Sequence, residues 1–275
     1  MKAAVFDYVR AGSAAEAAAI LAADEGAKLL GGGQSLGPTL NLRLARPGRL
    51  VDLKRAEGLR SLAGDDAHLA IGAGWTHAAI EDGVVPDPAR GMLAQVAHGI
   101  AYRAVRNRGT LGGSLAHADP SADWVATMFA LNATMVVTGR AGTRRVAAEG
   151  FTLGAFATAL AEDEVLVAVE VPRLSAGARW GYAKLCRKTG EFAKAIGAAV
   201  LDPARGLARV VAGATGGAPV LLPAASAALR EQGWQAAAAG VAGEIGSVLP
   251  NSDAAARAQH AAMLRRALAQ LDLTR

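Results

Sequence analysis

Two glycine-rich segments in the first half of the sequence carry the residue types that bind phosphate. The first is residues 31–36 (GGGQSL) and the second is residues 110–114 (TLGGS). Residues without a Cβ allow backbone N–H groups to turn toward an anion and approach it closely, and the neighbouring hydroxyl and amide side chains add donors. Two such segments in one domain could hold the two phosphates of a dinucleotide from opposite sides.

The polar residues that follow the second segment do not form a recognisable catalytic set. His117 and Asp119 could share a metal ion, but a third ligand is missing at a suitable spacing. Asp123 could be the N-cap of a helix, or its carboxylate could accept hydrogen bonds from ribose hydroxyls. No H-E-x-x-H motif is present. This shortage of catalytic side chains fits a protein whose cofactor performs the chemistry.

Composition limits the classes of partner and compartment. The formal net charge is +5, but no block of basic residues interleaved with aromatics is present, so nucleic acid is not an expected partner. The one cysteine, Cys186, cannot form an internal disulfide or hold an iron–sulfur cluster, and a small buried hydrophobic role is expected for it. No apolar run approaches the roughly 18 residues of a membrane span, and the start lacks a signal peptide, so a cytoplasmic protein is expected.

Short strands and helices must position these segments. A strand is predicted over residues 27–30, and it leads directly into the first glycine segment. Residues 134–138 and 144–146 predict a hairpin, and three strands followed by helices are predicted after residue 180. Residues 175–177 have the composition of a linker, which places a domain boundary there. Regular βαβ alternation and a G-x-G-x-x-G motif are absent, which argues against a Rossmann unit.

Three motifs together resemble a known family. They are residues 32–36 (GGQSL), residues 106–120 (RNRGTLGGSLAHADP) and residues 184–193 (KLCRKTGEFA). The sequence is similar to the FAD-binding medium subunits of molybdenum hydroxylases, the family of carbon monoxide dehydrogenase and xanthine dehydrogenase. This resemblance implies an α+β fold. Residues 1–174 would form an FAD-binding domain of the vanillyl-alcohol-oxidase type with two subdomains, and residues 175–275 a domain of a three-stranded sheet with helices.

The resemblance also implies that FAD lies extended between the two glycine segments, which hold its diphosphate and neighbouring groups. Asp123 would make a polar contact with the cofactor, and Leu166 would approach the flavin ring through its backbone. Lys184 would lie near the polar edge of the ring and Phe192 at its face, where the family also has tyrosine. The cofactor-binding residues predicted in this way are Gly31, Gly32, Gly33, Gln34, Ser35, Leu36, Ala101, Thr110, Gly112, Gly113, Ser114, His117, Asp119, Asp123, Leu166, Lys184 and Phe192.

The function that the resemblance implies is electron transfer. A large partner subunit would carry a molybdenum–pterin centre, and a small partner would carry two [2Fe–2S] clusters that deliver electrons to the flavin of this chain. An external acceptor would then receive them, and the assembly would be a dimer of heterotrimers. Two alternatives stay open at this point. One is a self-contained FAD-dependent oxidoreductase of the same fold, and the other is an interaction module without FAD whose glycine segments are only turns.

Overall fold

The first glycine segment follows a small parallel sheet. The computed structural model describes residues 2–272, so residues 1 and 273–275 of the two predicted domains lie outside the described residues. The strands of the sheet are β1 (Asp7–Arg10), β2 (Ala27–Leu30) and β3 (Arg49–Asp52), in the spatial order β1-β3-β2. Helix α1 (Ala14–Ala23) joins β1 to β2, and the hydroxyl of Ser13 accepts a hydrogen bond from the Glu16 N–H at its start. Helix α2 (Leu36–Asn41) begins at the end of the glycine segment.

A second, antiparallel sheet of five strands follows the parallel sheet in the chain. Its strands are β4 (Leu62–Gly64), β5 (His68–Gly72), β6 (Thr134–Gly139), β7 (Gly142–Ala147) and β10 (Val165–Pro172), in the spatial order β4-β5-β10-β6-β7. Strands β6 and β7 pair with Thr138 opposite Thr143, which confirms the predicted hairpin. A small hairpin of β8 (Thr152–Gly154) and β9 (Ala157–Thr158) lies between β7 and β10.

Helices fill the connections of this sheet. They are α3 (His77–Glu81), α4 (Met92–Gly99), α5 (Arg103–Arg106), α6 (Leu111–His117), α7 (Asp123–Ala130) and α8 (Ala148–Phe151). All eight residues of α7 are buried, so this helix is the centre of the main core. The second glycine segment is therefore not an open loop, because Gly112, Gly113 and Ser114 form the first turns of α6.

The last third of the chain forms a separate antiparallel sheet. Its strands are β11 (Arg179–Leu185), β12 (Ala195–Asp202), β13 (Leu207–Gly213) and β14 (Val220–Leu221), in sequence order. The first three are the predicted strands. The fourth pairs only two residues with β13, which is too short to produce an alternating pattern in the sequence. Helices α9 (Pro223–Glu231), α10 (Trp234–Val248) and α11 (Ala254–Gln270) follow.

The core is continuous across the two regions. One face of the last sheet contributes Trp180, Ile196 and Val211 to the cluster that contains α4, α7 and the five-stranded sheet. The other face packs on α9, α10 and α11 in a second cluster. The last sheet is therefore held between α7 and the C-terminal helices, and this arrangement fixes the side chains of β11 relative to the first half of the chain. No helix among residues 2–272 is both long and apolar enough to span a membrane.

Candidate functional site

A cleft of about 850 Å³ lies between the edge of the parallel sheet, the start of α6, strand β10 and the segment after β11. Its volume is within the range of pockets that hold cofactors. Every residue predicted from the sequence to bind the cofactor lines this cleft. The lining includes Gly31, Gly32, Gly33, Gln34, Ser35, Leu36, Ala101, Thr110, Gly112, Gly113, Ser114, His117, Asp119, Asp123, Leu166, Lys184 and Phe192.

The structure brings the two glycine segments into direct contact. A Cβ at Gly32 would overlap the carbonyl of Arg108 and would lie 2.6 Å from the Cα of Gly109. A Cβ at Gly31 would lie 3.2 Å from Oγ1 of Thr110. A side chain at residue 32 would therefore push the two segments apart, which explains why glycine is needed there.

The first segment offers a run of free backbone donors. Among residues 2–272, the N–H groups of residues 32–36 find no hydrogen-bond acceptor, which leaves five consecutive free donors at the cleft. Gly33 has φ +73°, a left-handed conformation within this run. Consecutive N–H groups in such a bend form an anion-binding concavity, called a nest. We refer to residues 32–36 as the nest.

In the second segment the N–H groups of residues 111–114 are occupied and only that of Thr110 is free, which corrects the prediction that exposed amides of both glycine clusters converge on one diphosphate. The Leu111 N–H donates to the carbonyl of Trp75 at 3.0 Å, and the Gly112 N–H donates to that of Ala73 at 2.8 Å. The Gly113 N–H donates to Oγ1 of Thr110 at 3.1 Å, since Thr110 is the N-cap of α6. This segment therefore contributes mainly its close packing against the nest, and not a run of free amides.

Asp123 is not the N-cap of α7, which corrects one of the two readings of this residue. Ala122 is the N-cap and makes no side-chain hydrogen bond. The Asp123 carboxylate accepts a hydrogen bond from Tyr182 Oη at 2.7 Å and from Lys184 Nζ at 2.6 Å. Burial and the adjacent carboxylate raise the pKa of Tyr182 well above its usual value, so the phenol stays a donor. The cluster joins β11 to α7 beside the cleft.

The match to known protein families decides the assignment. Residues 4–174 match the family described as the FAD binding domain in molybdopterin dehydrogenase. The chain belongs to this family. The carbon monoxide dehydrogenase medium chain of Hydrogenophaga pseudoflava is 41% identical over 201 residues, which cover 71% of this chain and 69% of that relative. The nicotine 6-hydroxylase medium subunit of Paenarthrobacter nicotinovorans is 36% identical over 218 residues, which cover 79% of this chain and 76% of that relative.

A solved structure agrees over the whole chain. It is that of carbon monoxide dehydrogenase from Hydrogenophaga pseudoflava in a form that lacks the Mo-pyranopterin moiety of the molybdenum cofactor. The TM-score is 0.90 at 36% identity, and the match covers 100% of this chain and 99% of that one. The α+β fold predicted from the sequence is therefore confirmed. The chain is an FAD-binding medium subunit of the molybdenum hydroxylase type, a flavoprotein component of an oxidoreductase.

The cleft residues of this medium subunit fit FAD. The nest presents donors that lack acceptors within the described chain, and a diphosphate is a ligand that satisfies several such donors together. The cleft also has exposed aromatic side chains, Phe156 and Phe192, at 62% and 74% exposure. These residues give a flat ring system apolar surfaces to pack on. The site therefore combines an anion-binding end with an aromatic one.

Among the described residues, no third ligand joins His117 and Asp119 to form a metal site. The imidazole packs against the ring of Phe156, with centroids 5.1 Å apart, and burial lowers the pKa of His117. Oδ1 of Asp119 accepts a hydrogen bond from the Ser121 N–H at 2.8 Å. Within the part of the chain that the structure describes, no group of three or more His, Cys, Asp or Glu residues could hold a metal ion.

Sequence reasoning missed many of the residues that line the cleft, and three of them show why. His77 lies behind Gly109 and is 5% exposed, and no motif in the sequence marks it. Phe156 comes from the β8–β9 hairpin, which is remote in sequence from the glycine segments. Arg108 lies inside the second motif, so the motif itself could have pointed to it. All three reach the cleft through tertiary contacts.

Replacing Cys186 with alanine should leave FAD binding nearly unchanged. Cys186 is half-buried directly after β11, and it is not among the residues that line the cleft. We expect the dissociation constant for FAD, measured by fluorescence titration of the apoprotein, to change by less than about twofold. A loss of tenfold or more, by about 1.4 kcal/mol of binding free energy, would overturn this small hydrophobic role.

Proposed function

We propose that this medium subunit is the electron-transfer component of a heterotrimeric molybdenum hydroxylase. It would pass electrons from the [2Fe–2S] clusters of a partner subunit to an external acceptor. The observation that carries the proposal is the nest beside a cleft of FAD size in a chain of this family. When bound there, FAD supplies the capacity to accept electrons singly and to release them in pairs.

The chain's own residues would bind and orient the cofactor. The nest would bind the diphosphate through backbone N–H groups, and the packed second segment would keep the nest in shape. Lys184 is held at 2.8 Å from the carbonyl of Gly99 and at 2.6 Å from Asp123, so its position beside the cleft is fixed at two points. Leu166 and Phe192 would complete the wall at the ring. The two hydrogen bonds that hold Lys184 before the ligand arrives lower the entropic cost of binding.

The partners would be a large molybdenum–pterin subunit and a small iron–sulfur subunit, assembled as a dimer of heterotrimers. The relatives are named as medium chains or subunits, which supports partners of other sizes. This chain has one cysteine, whereas a [2Fe–2S] cluster uses about four ligands, so the clusters would belong to a partner.

We further propose that residues 1–174 form the FAD-binding domain and residues 175–275 the C-terminal domain. We assign the assembly to the cytoplasm, because the chain cannot form an internal disulfide of the kind that marks oxidising compartments. The basic residues are scattered along the chain, which supports the absence of a nucleic-acid partner.

Two measurements test the proposal. The chain purified alone should be yellow or should take up FAD with flavin bands in its visible spectrum. Tagged chain isolated from its native cell should bring down one larger and one smaller subunit that contain molybdenum and iron. A colourless chain that takes up no FAD would favour an interaction module, and a yellow chain that turns over a substrate without partners would favour a self-contained oxidoreductase. Either result would contradict the electron-transfer proposal.

A further inference from the structure

One wall of the cleft is a strained bend. Ile100 and Ala101 line the cleft between α4 and α5. Ala101 has φ +43°, a left-handed conformation in a residue that has a Cβ. Such a conformation costs roughly 1–2 kcal/mol and persists only where surrounding contacts hold it. The sequence therefore needs another element that keeps this bend in place.

The buried guanidinium of Arg106 makes the contacts that hold it. Nη1 of Arg106 donates to the carbonyl of Ile100 at 2.9 Å and to that of Ala101 at 3.1 Å. Nε and Nη2 of the same group donate to the two carboxylate oxygens of Glu81 at 2.7 and 3.1 Å. These hydrogen bonds lower the pKa of Glu81, so the pair stays ionised at neutral pH. The fork of Arg106 thus connects α3 to both carbonyls of the bend.

The residues on either side of the bend contact the end of β11 and the segment after it. The carbonyl of Gly99 accepts a hydrogen bond from Lys184 Nζ at 2.8 Å. Oη of Tyr102 donates to the carbonyl of Thr189 at 2.6 Å, in the segment that carries Phe192. If Ala101 relaxed toward negative φ, Gly99 and Tyr102 would move with it. Their hydrogen bonds to Lys184 and to Thr189 would then shift as well.

We propose that Arg106 and Glu81 are positioning residues for the cofactor cleft. They hold the Ile100–Ala101 bend in its strained conformation and so fix its position against the segments that carry Lys184 and Phe192. The inference rests on the proposed function, because it takes the cleft to be the FAD site. Arg106 acts through the backbone that it holds.

The test compares two arginines of α5 that share a carboxylate. Arg106→Lys keeps the positive charge but loses the planar fork, so one ammonium group cannot reach both carbonyls and both oxygens of Glu81. Arg103→Lys is the matched control. Nη1 of Arg103 also donates to Glu81, at 3.0 Å, but this side chain is half exposed and does not line the cleft. We expect about tenfold weaker FAD binding in Arg106→Lys and less than about twofold change in Arg103→Lys.

The Ala101→Gly substitution distinguishes a positioning role of Arg106 from an effect of its charge or of the stability of the chain. Glycine adopts φ +43° without strain, so the bend needs less support. In an Ala101→Gly background, Arg106→Lys should weaken FAD binding by less than about threefold, while the thermal midpoint of the apoprotein reports any change in stability. An equal loss of affinity in both backgrounds, or no loss in Arg106→Lys, would overturn the positioning role. Failure of the unmodified chain and of Arg103→Lys to bind FAD would instead overturn the proposed function.

Discussion

Replacing Gly33 with valine should abolish the retention of FAD. Gly33 has φ +73° in the middle of the nest, and a Cβ there would lie 3.3 Å from Cδ1 of Leu30. A β-branched residue does not tolerate a left-handed conformation, so the backbone would turn to negative φ and rotate the adjacent N–H groups away from the cleft. The measurement is the ratio of visible flavin absorbance to protein absorbance after purification and after dialysis against FAD.

A second glycine variant reaches the same result by another route. A Cβ at Gly113 would lie 2.7 Å from Oγ1 of Thr110, the oxygen that caps α6. Gly113→Val would displace this cap and the packed segment that supports the nest, so flavin content should fall as well. Agreement between the two variants would show that both segments are needed, although only the nest has consecutive free amides.

The matched control is Gly206→Val. Gly206 has φ +65°, so valine imposes a similar backbone strain, but no atom lies within 4 Å of its Cβ position and the residue is not part of the cleft. This variant should lose stability by about 1–2 kcal/mol and keep its flavin. Flavin content in Gly33→Val equal to that of the unmodified chain would show that the nest does not contact the cofactor.

The sequence predicted the local features of the fold well. The strand over Ala27–Leu30 and the β6–β7 hairpin depend on neighbouring residues, so periodicity and turn composition carry enough information to find them. The two-residue strand β14 did not leave such a pattern. The family resemblance located the cleft residues because its motifs include both glycine segments.

The roles of individual glycines could not be read from the motifs. A Cβ at Gly112 would lie 2.9 Å from the carbonyl oxygen of Ala73, so this glycine permits the packing of α6 on the chain after β5. A glycine needed for close packing and one needed for a nest look the same in sequence, because the contact that distinguishes them comes from a residue far along the chain. Asp123 presents the same problem, since its partners Tyr182 and Lys184 are on β11.

His77 shows most clearly what tertiary structure adds. Trp124 Nε1 donates to Nδ1 of His77 at 3.0 Å, which requires an unprotonated Nδ1. The backbone N–H of His77 donates to the carbonyl of Gly109 at 2.9 Å, so the residue also holds the segment that packs against the nest. Burial, and secondarily the charge of Arg106, lowers the pKa of His77 to about 4. Protonation would therefore break the bond from Trp124 and bury a charge beside Arg106.

This arrangement predicts a steep loss of stability in acid. The pKa of His77 is about 4 in the folded chain and about 6.5 when unfolded, so at pH above 6.5 the residue is neutral in both states and costs nothing. As the pH falls from 6.5 to 4, the unfolded state gains a proton that the folded state does not, and folding loses about 3 kcal/mol. His77→Asn supplies an oxygen that accepts from Trp124 and does not titrate, so its unfolding free energy should decline less over this range.

Urea unfolding of the apoprotein at a series of pH values gives the unfolding free energy of the unmodified chain and of His77→Asn. The slopes of these free energies against pH are compared, because a constant cost of the smaller asparagine side chain does not change a slope. His68→Asn is the comparison variant, because it makes the same substitution at a side chain that is about half exposed and lies outside the cleft. FAD should also dissociate from the unmodified chain at a higher pH than from His77→Asn, since His77 supports the segment behind the nest. If the stability of His77→Asn declines as steeply with acid as that of the unmodified chain, the neutral buried imidazole is not the group that makes the fold sensitive to acid.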